Sequence, residues 1–492
     1  MASKTKSTEE LTDDGLALGL TARHLRMLAV GGSIGVGLFL GSGAGISVAG
    51  PSLILVYAIV GAIIFIIMRA LGELLIYRPV TGSFTEYARE FLGPMVGFVT
   101  GWGNWITWTL IGMSEITAAG IFVQFWFPSI PQWVTALVAV VALVLLNLLH
   151  VGAFGEAEFW FASIKITAII GLILGGFAVI FFSIGPAGPT ASFGNLFNLD
   201  VAGTQGGFAP FGIIGVLFAI QIAVFSYQGA ELLGMAASET RNRRQVIPKA
   251  INSVPLRIIL FYVGSLVILM SVVQWNKFSG NQSPFVQALD QIGIPAAAGI
   301  MNFVVLTSAL SACSSGLFSN ARLLKRLATD GVAPAVFSST NRNHVPAASV
   351  LASGGVMLLG VVLNAVVPEQ AFQYLLSICS LAALWTWGII IVTHMAYRRK
   401  VKNGELPASS FKLPAARVLG PVALLFLAGV VALMAFDENA RIALMALPFW
   451  GAVLIGGYYL SRRFNPRHSI LEHTTQRSLQ GREEPLMETV RM

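Results

Sequence analysis

Gly31-Gly32-Ser33-Ile34-Gly35-Val36-Gly37-Leu38-Phe39 sits in the middle of the first long apolar stretch of the chain, residues 25–48. Each glycine costs a helix interior roughly 1 kcal/mol relative to alanine. A tract this rich in glycine therefore invites a helix to unwind. Five apolar stretches further on, Phe225-Ser226-Tyr227-Gln228-Gly229-Ala230-Glu231 repeats the peculiarity and adds a carboxylate. Unwinding frees N–H and C=O groups, which hydrocarbon tolerates only where they line a cavity. Close packing of helices through small residues accounts for either tract taken alone. Two interruptions in corresponding positions are the sequence mark of a transporter with a binding site near the bilayer midplane, between two inverted halves.

The rest of the chain supplies the bilayer. Of its 492 residues, 55% are hydrophobic and 11% charged, against about 25% charged in a soluble domain. A large core does not explain that deficit, because a soluble protein still needs a polar surface. A helix needs about 20 apolar residues to cross the hydrocarbon. Segments of that kind, numbered here as spans 1 to 12, occupy 25–48, 52–77, 95–127, 132–150, 157–183, 211–236, 255–276, 291–325, 347–368, 372–397, 417–435 and 442–461. Open sheet edges are not viable in lipid, so the expected fold class is an all-α membrane protein. The spacing of the two glycine tracts divides it into a first repeat over about 25–183, a second over about 211–397, and two extra helices over about 417–461. Together these form a transmembrane domain at 21–462, flanked by polar tails at 1–20 and 463–492. The first 20 residues carry Glu9, Glu10, Asp13 and Asp14 and lack the apolar core of a signal peptide.

Charge sets the orientation. Arg241, Arg243, Arg244, Lys249 and Arg257 fall between spans 6 and 7 or at their ends. Arg322, Lys325, Arg326 and Arg342 surround the 8–9 loop, and Arg398, Arg399, Lys400, Lys402, Lys412 and Arg417 the 10–11 loop. Arg462, Arg463 and Arg467 follow span 12, whereas the opposite side holds Lys277 and Arg441. Positive residues collect in cytoplasmic loops, so both tails are expected in the cytoplasm. The net charge of +8 is thus mainly an orientation signal, and no nucleic-acid partner is expected. Cys313 and Cys379 lie inside apolar runs and suggest neither a disulfide framework nor a metal site.

Ionisable residues within spans cost about 2.5–3.5 kcal/mol at a helix centre and usually pair or line a pathway. Glu115 lies in span 3, Lys165 in span 5 and Glu231 just past the span 6 tract. Lys165 stands nine residues beyond Glu156, or roughly 13 Å along a helix, too deep for easy snorkelling. It serves either as a proton-exchanging group or as half of a structural ion pair, and the same two roles stand open for Glu115 and Glu231. Arg69 and Glu73, one turn apart in span 2, are expected to form a structural i,i+4 pair. His150 and His394 are read as interfacial, and Trp102, Trp105 and Trp108 as packing or belt residues. Span 8 offers Thr307, Ser308, Ser311, Ser314, Ser315 and Ser319 either for packing or as oxygens around a cation. No metal-ligand spacing, nucleophile–base set or phosphate loop suggests an enzyme.

Further motifs are Arg69-Ala70-Leu71-Gly72-Glu73, Gly82-Ser83-Phe84, Glu158-Phe159-Trp160-Phe161-Ala162 with Lys165, Pro248-Lys249-Ala250-Ile251-Asn252, Ser283-Pro284-Phe285 and Asn302-Phe303-Val304-Val305-Leu306-Thr307. With the two glycine tracts, they make the chain resemble the amino acid transporter family of the amino acid–polyamine–organocation superfamily, over about residues 20–462. Its bacterial L-asparagine permeases look most similar, with D-serine/D-alanine/glycine carriers next. The resemblance implies a LeuT-like fold of five-plus-five inverted spans with two more at the C-terminus, in the bacterial inner membrane. It implies that a small amino acid binds with its carboxylate on the N–H groups of Val36 and Gly37. The ammonium would meet carbonyls at Ser33, Phe225 and Gln228, with Tyr227 in the same tract also at the site. Lys165 matches a position that sodium fills in sodium-coupled relatives, so the implied coupling ion is the proton, with Glu231 and Glu115 as further coupling or gating residues. Relatives usually carry Thr in place of Val36 and an apolar residue in place of Gln228. No cofactor is implied.

Overall fold

A computed structural model describes residues 34–464, apart from 79, 81, 150, 199–200, 202, 233, 235–242, 294 and 342; at 151–155, 157, 243, 295 and 464 it describes the backbone alone. Gly31, Gly32, Ser33, His150 and the tails at 1–20 and 465–492 therefore lie outside the described residues, as do residues 25–33 of span 1.

Helix follows the apolar segments closely, because a backbone in hydrocarbon must satisfy its own hydrogen bonds. Span 2 is Leu53–Tyr77, span 3 Pro94–Gln124, span 4 Gln132–Leu148, span 5 Val151–Phe182 and span 8 Pro295–Thr329. Spans 9 to 12 are Ala347–Val366, Pro368–Lys402, Ala416–Met434 and Glu438–Phe464. Among the described residues, nine helical stretches are long and apolar enough to cross a membrane, and Gln132–Leu148 and Gly212–Ser226 are shorter apolar helices. No strand occurs among the described residues. The molecule is an all-α, multi-pass membrane protein.

Burial separates scaffold from periphery. In the most apolar window of span 3, 78% of residues are buried inside the protein, against 11% in span 12. Span 3 packs on spans 4, 8, 9 and 10, while span 12 leans mainly on spans 3 and 10 and turns Met445, Phe449 and Leu460 outward. Exposed side chains of this kind are what lipid-facing surfaces require.

The two tracts behave differently from ordinary spans. Ile34 and Gly35 are not helical, and a π-helical turn, Gly37–Gly41, leads into the helix Ser42–Ala49. Span 6 is helical over Gly212–Ser226 and then gives way to turns at Tyr227–Glu231, with Gly229 at φ +95°. That backbone conformation favours glycine. Hydrogen bonds there run from Gln228 N–H to Phe225 C=O (3.2 Å) and from Leu232 N–H to Gly229 C=O (3.1 Å), three residues apart instead of four. The helix of span 6 is thus interrupted where glycine weakens it.

At the C-terminal ends of spans 2 and 10, the expected Arg69–Glu73 pair is replaced by longer-range partners. Glu73 is fully buried and accepts from His394 Nε2 (2.9 Å), Arg398 Nη1 (2.9 Å) and the Leu413 N–H (2.7 Å). Arg69 instead donates to Asn252 Oδ1 (2.8 Å) and Lys412 C=O (2.6 Å), with its guanidinium 3.9 Å from the centre of the Phe411 ring. His394 is therefore a core residue, not an interfacial one. The reason is that the 10–11 loop folds back over both helices, and helical spacing along one span does not reveal that. The Glu73→Ala variant leaves a buried histidine and an arginine without their carboxylate. Arg398 keeps one-third of its side chain in water, so the loss expected is about 3 kcal/mol, the low end for a broken buried pair. It is read as a lower thermal midpoint of the detergent-purified protein; an unchanged midpoint counts against the cluster.

Candidate functional site

Span 1 is gripped on two sides, three residues apart. The Ile34 carbonyl, freed because the chain there is not helical, accepts from Lys165 Nζ (3.2 Å) of span 5 and from Ser308 Oγ (3.1 Å) of span 8. The Gly37 carbonyl accepts from Ser226 Oγ (2.6 Å), the last residue of the Gly212–Ser226 helix. A Cβ on Gly37 would lie 2.4 Å from Ser226 Cα, so only glycine lets the two backbones meet this closely.

On the scaffold side, Lys165 is fully buried. Beyond Ile34, its ammonium lies 3.4 Å from Ser311 Oγ, whose hydroxyl donates to Glu158 Oε2 at 2.7 Å. Glu115 and Glu158 are the carboxylates that act electrostatically on Lys165. Glu115 accepts the Val36 N–H and lies against Gly35, where an added Cβ would come within 2.7 Å of its Oε1. A carboxylate at the start of a helix is favoured by the partial positive charge of the exposed N–H groups. Its other oxygen, Oε2, is buried with no hydrogen-bond partner among the described residues.

On the span 6 side, Tyr57 and Ser226 hydroxyls are 2.7 Å apart, and Tyr227 Oη donates to the Tyr57 carbonyl at 2.9 Å. Tyr227 and Tyr262 rings stack with centroids 4.5 Å apart. The Tyr227 side chain is thereby committed to packing among spans 2, 6 and 7. Phe225 sets its ring edge-on to Phe372 of span 10, centroids 6.0 Å apart. Gln228 Nε2 donates to the Cys379 carbonyl, and its Oε1 is buried with no hydrogen-bond partner among the described residues. Glu231 accepts from Trp387 Nε1 (3.3 Å) and from the Gly229 N–H (3.4 Å), bracing the break against span 10. A cavity of about 490 Å³, lined by Leu40, Gln124, Asn302, Glu369 and Phe372 among others, opens beside this region.

The expected residues thus fall into two groups joined by span 1: Lys165 and Glu115 beside Ile34–Val36, and Phe225, Tyr227, Gln228 and Glu231 beside or beyond Gly37. Ser33 lies outside the described residues. Glu158 is the charge that the search for isolated ionisable residues passes over. It lies seven residues before Lys165, hence on the same helix face, and that spacing is the signal that finds it. Ser226 and Tyr57 carry no comparable sequence signal, since a serine and a tyrosine in apolar helices are ordinary.

Comparison with known proteins fits this architecture. The model of the family described as amino acid permease matches residues 24–472. The chain belongs to the amino acid permease family. The permease is 44% identical over 441 residues to an uncharacterized amino acid permease of Bacillus subtilis, YtnA, covering 90% of this chain and 94% of that one. It is 40% identical over 454 residues to the L-asparagine permease of Streptomyces coelicolor, covering 92% of each chain. It is also 40% identical over 455 residues to the D-serine/D-alanine/glycine transporter of Escherichia coli K12, covering 92% of this chain and 95% of that one. These relatives are permeases and transporters, and the permease is a transporter rather than an enzyme. Overall identity does not choose between the two named substrate classes.

Proposed function

We propose that the permease is a proton-coupled symporter that imports a small neutral amino acid, of the asparagine type, across a bacterial plasma membrane. The observation that carries this reading is the Lys165 ammonium hydrogen-bonded to the freed Ile34 carbonyl, with Ser308 on the same oxygen. A cation on the oxygens of an interrupted helix holds that helix in one position; a neutral amine holds it less tightly. Loss and gain of one proton at Lys165 then links span 1 to the pH gradient, with Glu115 answering at the adjoining Val36 N–H.

The substrate carboxylate is read by N–H groups at the start of the span 1 helix, Gly37 and, once Glu115 gives it up, Val36, and the ammonium by carbonyls of Ser33, Phe225 and Gln228. Helix starts favour anions and freed carbonyls favour cations. The unpartnered Gln228 Oε1 is an acceptor for a carboxamide N–H, which supports an asparagine-type side chain. The frame for this is a LeuT-like pair of inverted repeats over about 25–183 and 211–397 with two further helices, both tails in the cytoplasm as the basic loops indicate.

The experiment is uptake into proteoliposomes, in sodium-free buffer and in parallel with sodium added, against L-asparagine, L-alanine, glycine and D-serine, with and without an inward proton gradient. Accumulation of a small neutral amino acid that collapses with an uncoupler is expected. Uptake sustained by sodium alone, or counterflow with no response to the gradient, overturns proton coupling. Preference for D-serine and glycine over asparagine replaces the substrate class by that of the second 40%-identical relative.

A further inference from the structure

We infer that Glu158 is the inward acceptor of the transported proton, which reaches it from Lys165 through the hydroxyl of Ser311. This rests on the proton-coupling reading above and adds the direction in which the proton leaves.

The geometry is a short, oriented relay. Ser311 Oγ lies 3.4 Å from Lys165 Nζ, a donor, and its own hydrogen points to Glu158 Oε2 at 2.7 Å. The serine therefore accepts on one side and donates on the other, which is the polarity that transfer toward Glu158 needs. In the step, a Lys165 N–H bond breaks and an Oγ–H bond forms. The original Oγ–H bond breaks and an Oε2–H bond forms. Lysine becomes a neutral amine and Glu158 a neutral acid, so total charge is conserved. All three side chains are buried. Collapse of a buried ion pair into two neutral groups avoids the desolvation cost that separated charges carry in a poor dielectric.

The groups facing Lys165 have different positions along the path. Glu115, from span 3, is bonded at the Val36 N–H, on the substrate side of the break. Glu158 lies seven residues toward the start of the span 5 helix, roughly 10 Å closer to the cytoplasmic end. Ser315 of span 8 is a second hydroxyl acting on the Glu158 carboxyl, and the proton, once on Oε2, leaves when that same Oε2–H bond breaks toward the next acceptor on the cytoplasmic side. The opposing view is that Ser311 and Glu158 only satisfy a buried ammonium. The two views part on coupling. A structural partner, once removed, damages every transport mode together, whereas a relay, once cut, spares exchange of substrate for substrate.

The test uses full-length protein in proteoliposomes and a radiolabelled mixture of L-asparagine, L-serine, L-alanine, glycine and D-serine. Glu158→Gln keeps the size and an acceptor for Ser311 but takes up no proton; Ser311→Ala removes the relay and leaves both ends. Each is expected to slow gradient-driven uptake about a hundred-fold, in line with loss of a positioned proton-transfer group, while counterflow without a gradient stays within about two-fold. Wild-type accumulation in either variant overturns the relay, and so does equal loss of accumulation and counterflow. The Lys165→Met variant, run beside them, separates the two claims. If it still accumulates substrate, proton coupling through Lys165 is wrong. If it fails to accumulate while Glu158→Gln succeeds, the outlet alone is wrong.

Discussion

Replacing Lys165 by methionine is expected to reduce the accumulation ratio to one, while substrate still equilibrates across the membrane. The side chain is fully buried, so its charge has no role at a surface. It holds the Ile34 carbonyl at 3.2 Å and sits within electrostatic reach of Glu115 and Glu158. Methionine fills nearly the same space, which keeps the packing and removes only the titrating group. With one proton coupled to each substrate, a gradient of one pH unit supplies about 1.4 kcal/mol, or about ten-fold accumulation. Without the proton that driving force is gone, whatever the binding affinity. The substitution also leaves a buried carboxylate without its counter-charge, at about 3–5 kcal/mol, so the thermal midpoint in detergent is expected to fall as well. Accumulation under an imposed pH gradient measures the first effect. A variant that is destabilised yet still concentrates substrate shows that the lysine is a structural partner only.

The sequence is most legible where lipid imposes a single answer. Among the described residues, apolar length places helix where the long apolar stretches predict it, and glycine density at Gly229 marks the point where span 6 gives way after Ser226. Such signals are local, because chain stiffness and solvent preference are properties of a few consecutive residues. Partnership is not local. Glu73 looks like the mate of Arg69 one turn away, yet it finds His394 and Arg398 more than 300 residues later. Tyr227 stands in the expected binding tract, but side-chain direction turns it onto Tyr57 and Tyr262. Glu158 reads as part of a motif until its face is compared with that of Lys165. Ionisable residues in apolar runs are found from sequence; which oxygen each one meets depends on how spans 1, 5 and 8 are set side by side.

Alanine at Gly37 is expected to abolish both accumulation and counterflow, a wider loss than that of the lysine variant. Its methyl would stand 2.4 Å from Ser226 Cα, 3.0 Å from Ser226 N and 3.2 Å from the Phe225 carbonyl oxygen. All three are backbone atoms, so no side-chain rotation relieves the clash, and spans 1 and 6 must separate. Separation stretches the Ser226–Gly37 hydrogen bond of 2.6 Å and the Tyr57–Ser226 contact of 2.7 Å that fix the two helices at this level. Overpacking of this kind costs about 1–3 kcal/mol, small against the whole fold but concentrated where the carbonyls and N–H groups of the two breaks must face one substrate. A displacement of about 1 Å in such groups is enough to lose about a hundred-fold in rate. Gly41, one turn further along the same helix, is the control: a methyl there meets nothing nearer than 3.7 Å, and Gly41→Ala is expected to transport normally. The pair separates close approach from helix propensity, because alanine strengthens the helix at both positions. Equal transport by the two variants means that spans 1 and 6 do not meet at Gly37 during the cycle, and the binding site between them loses its basis.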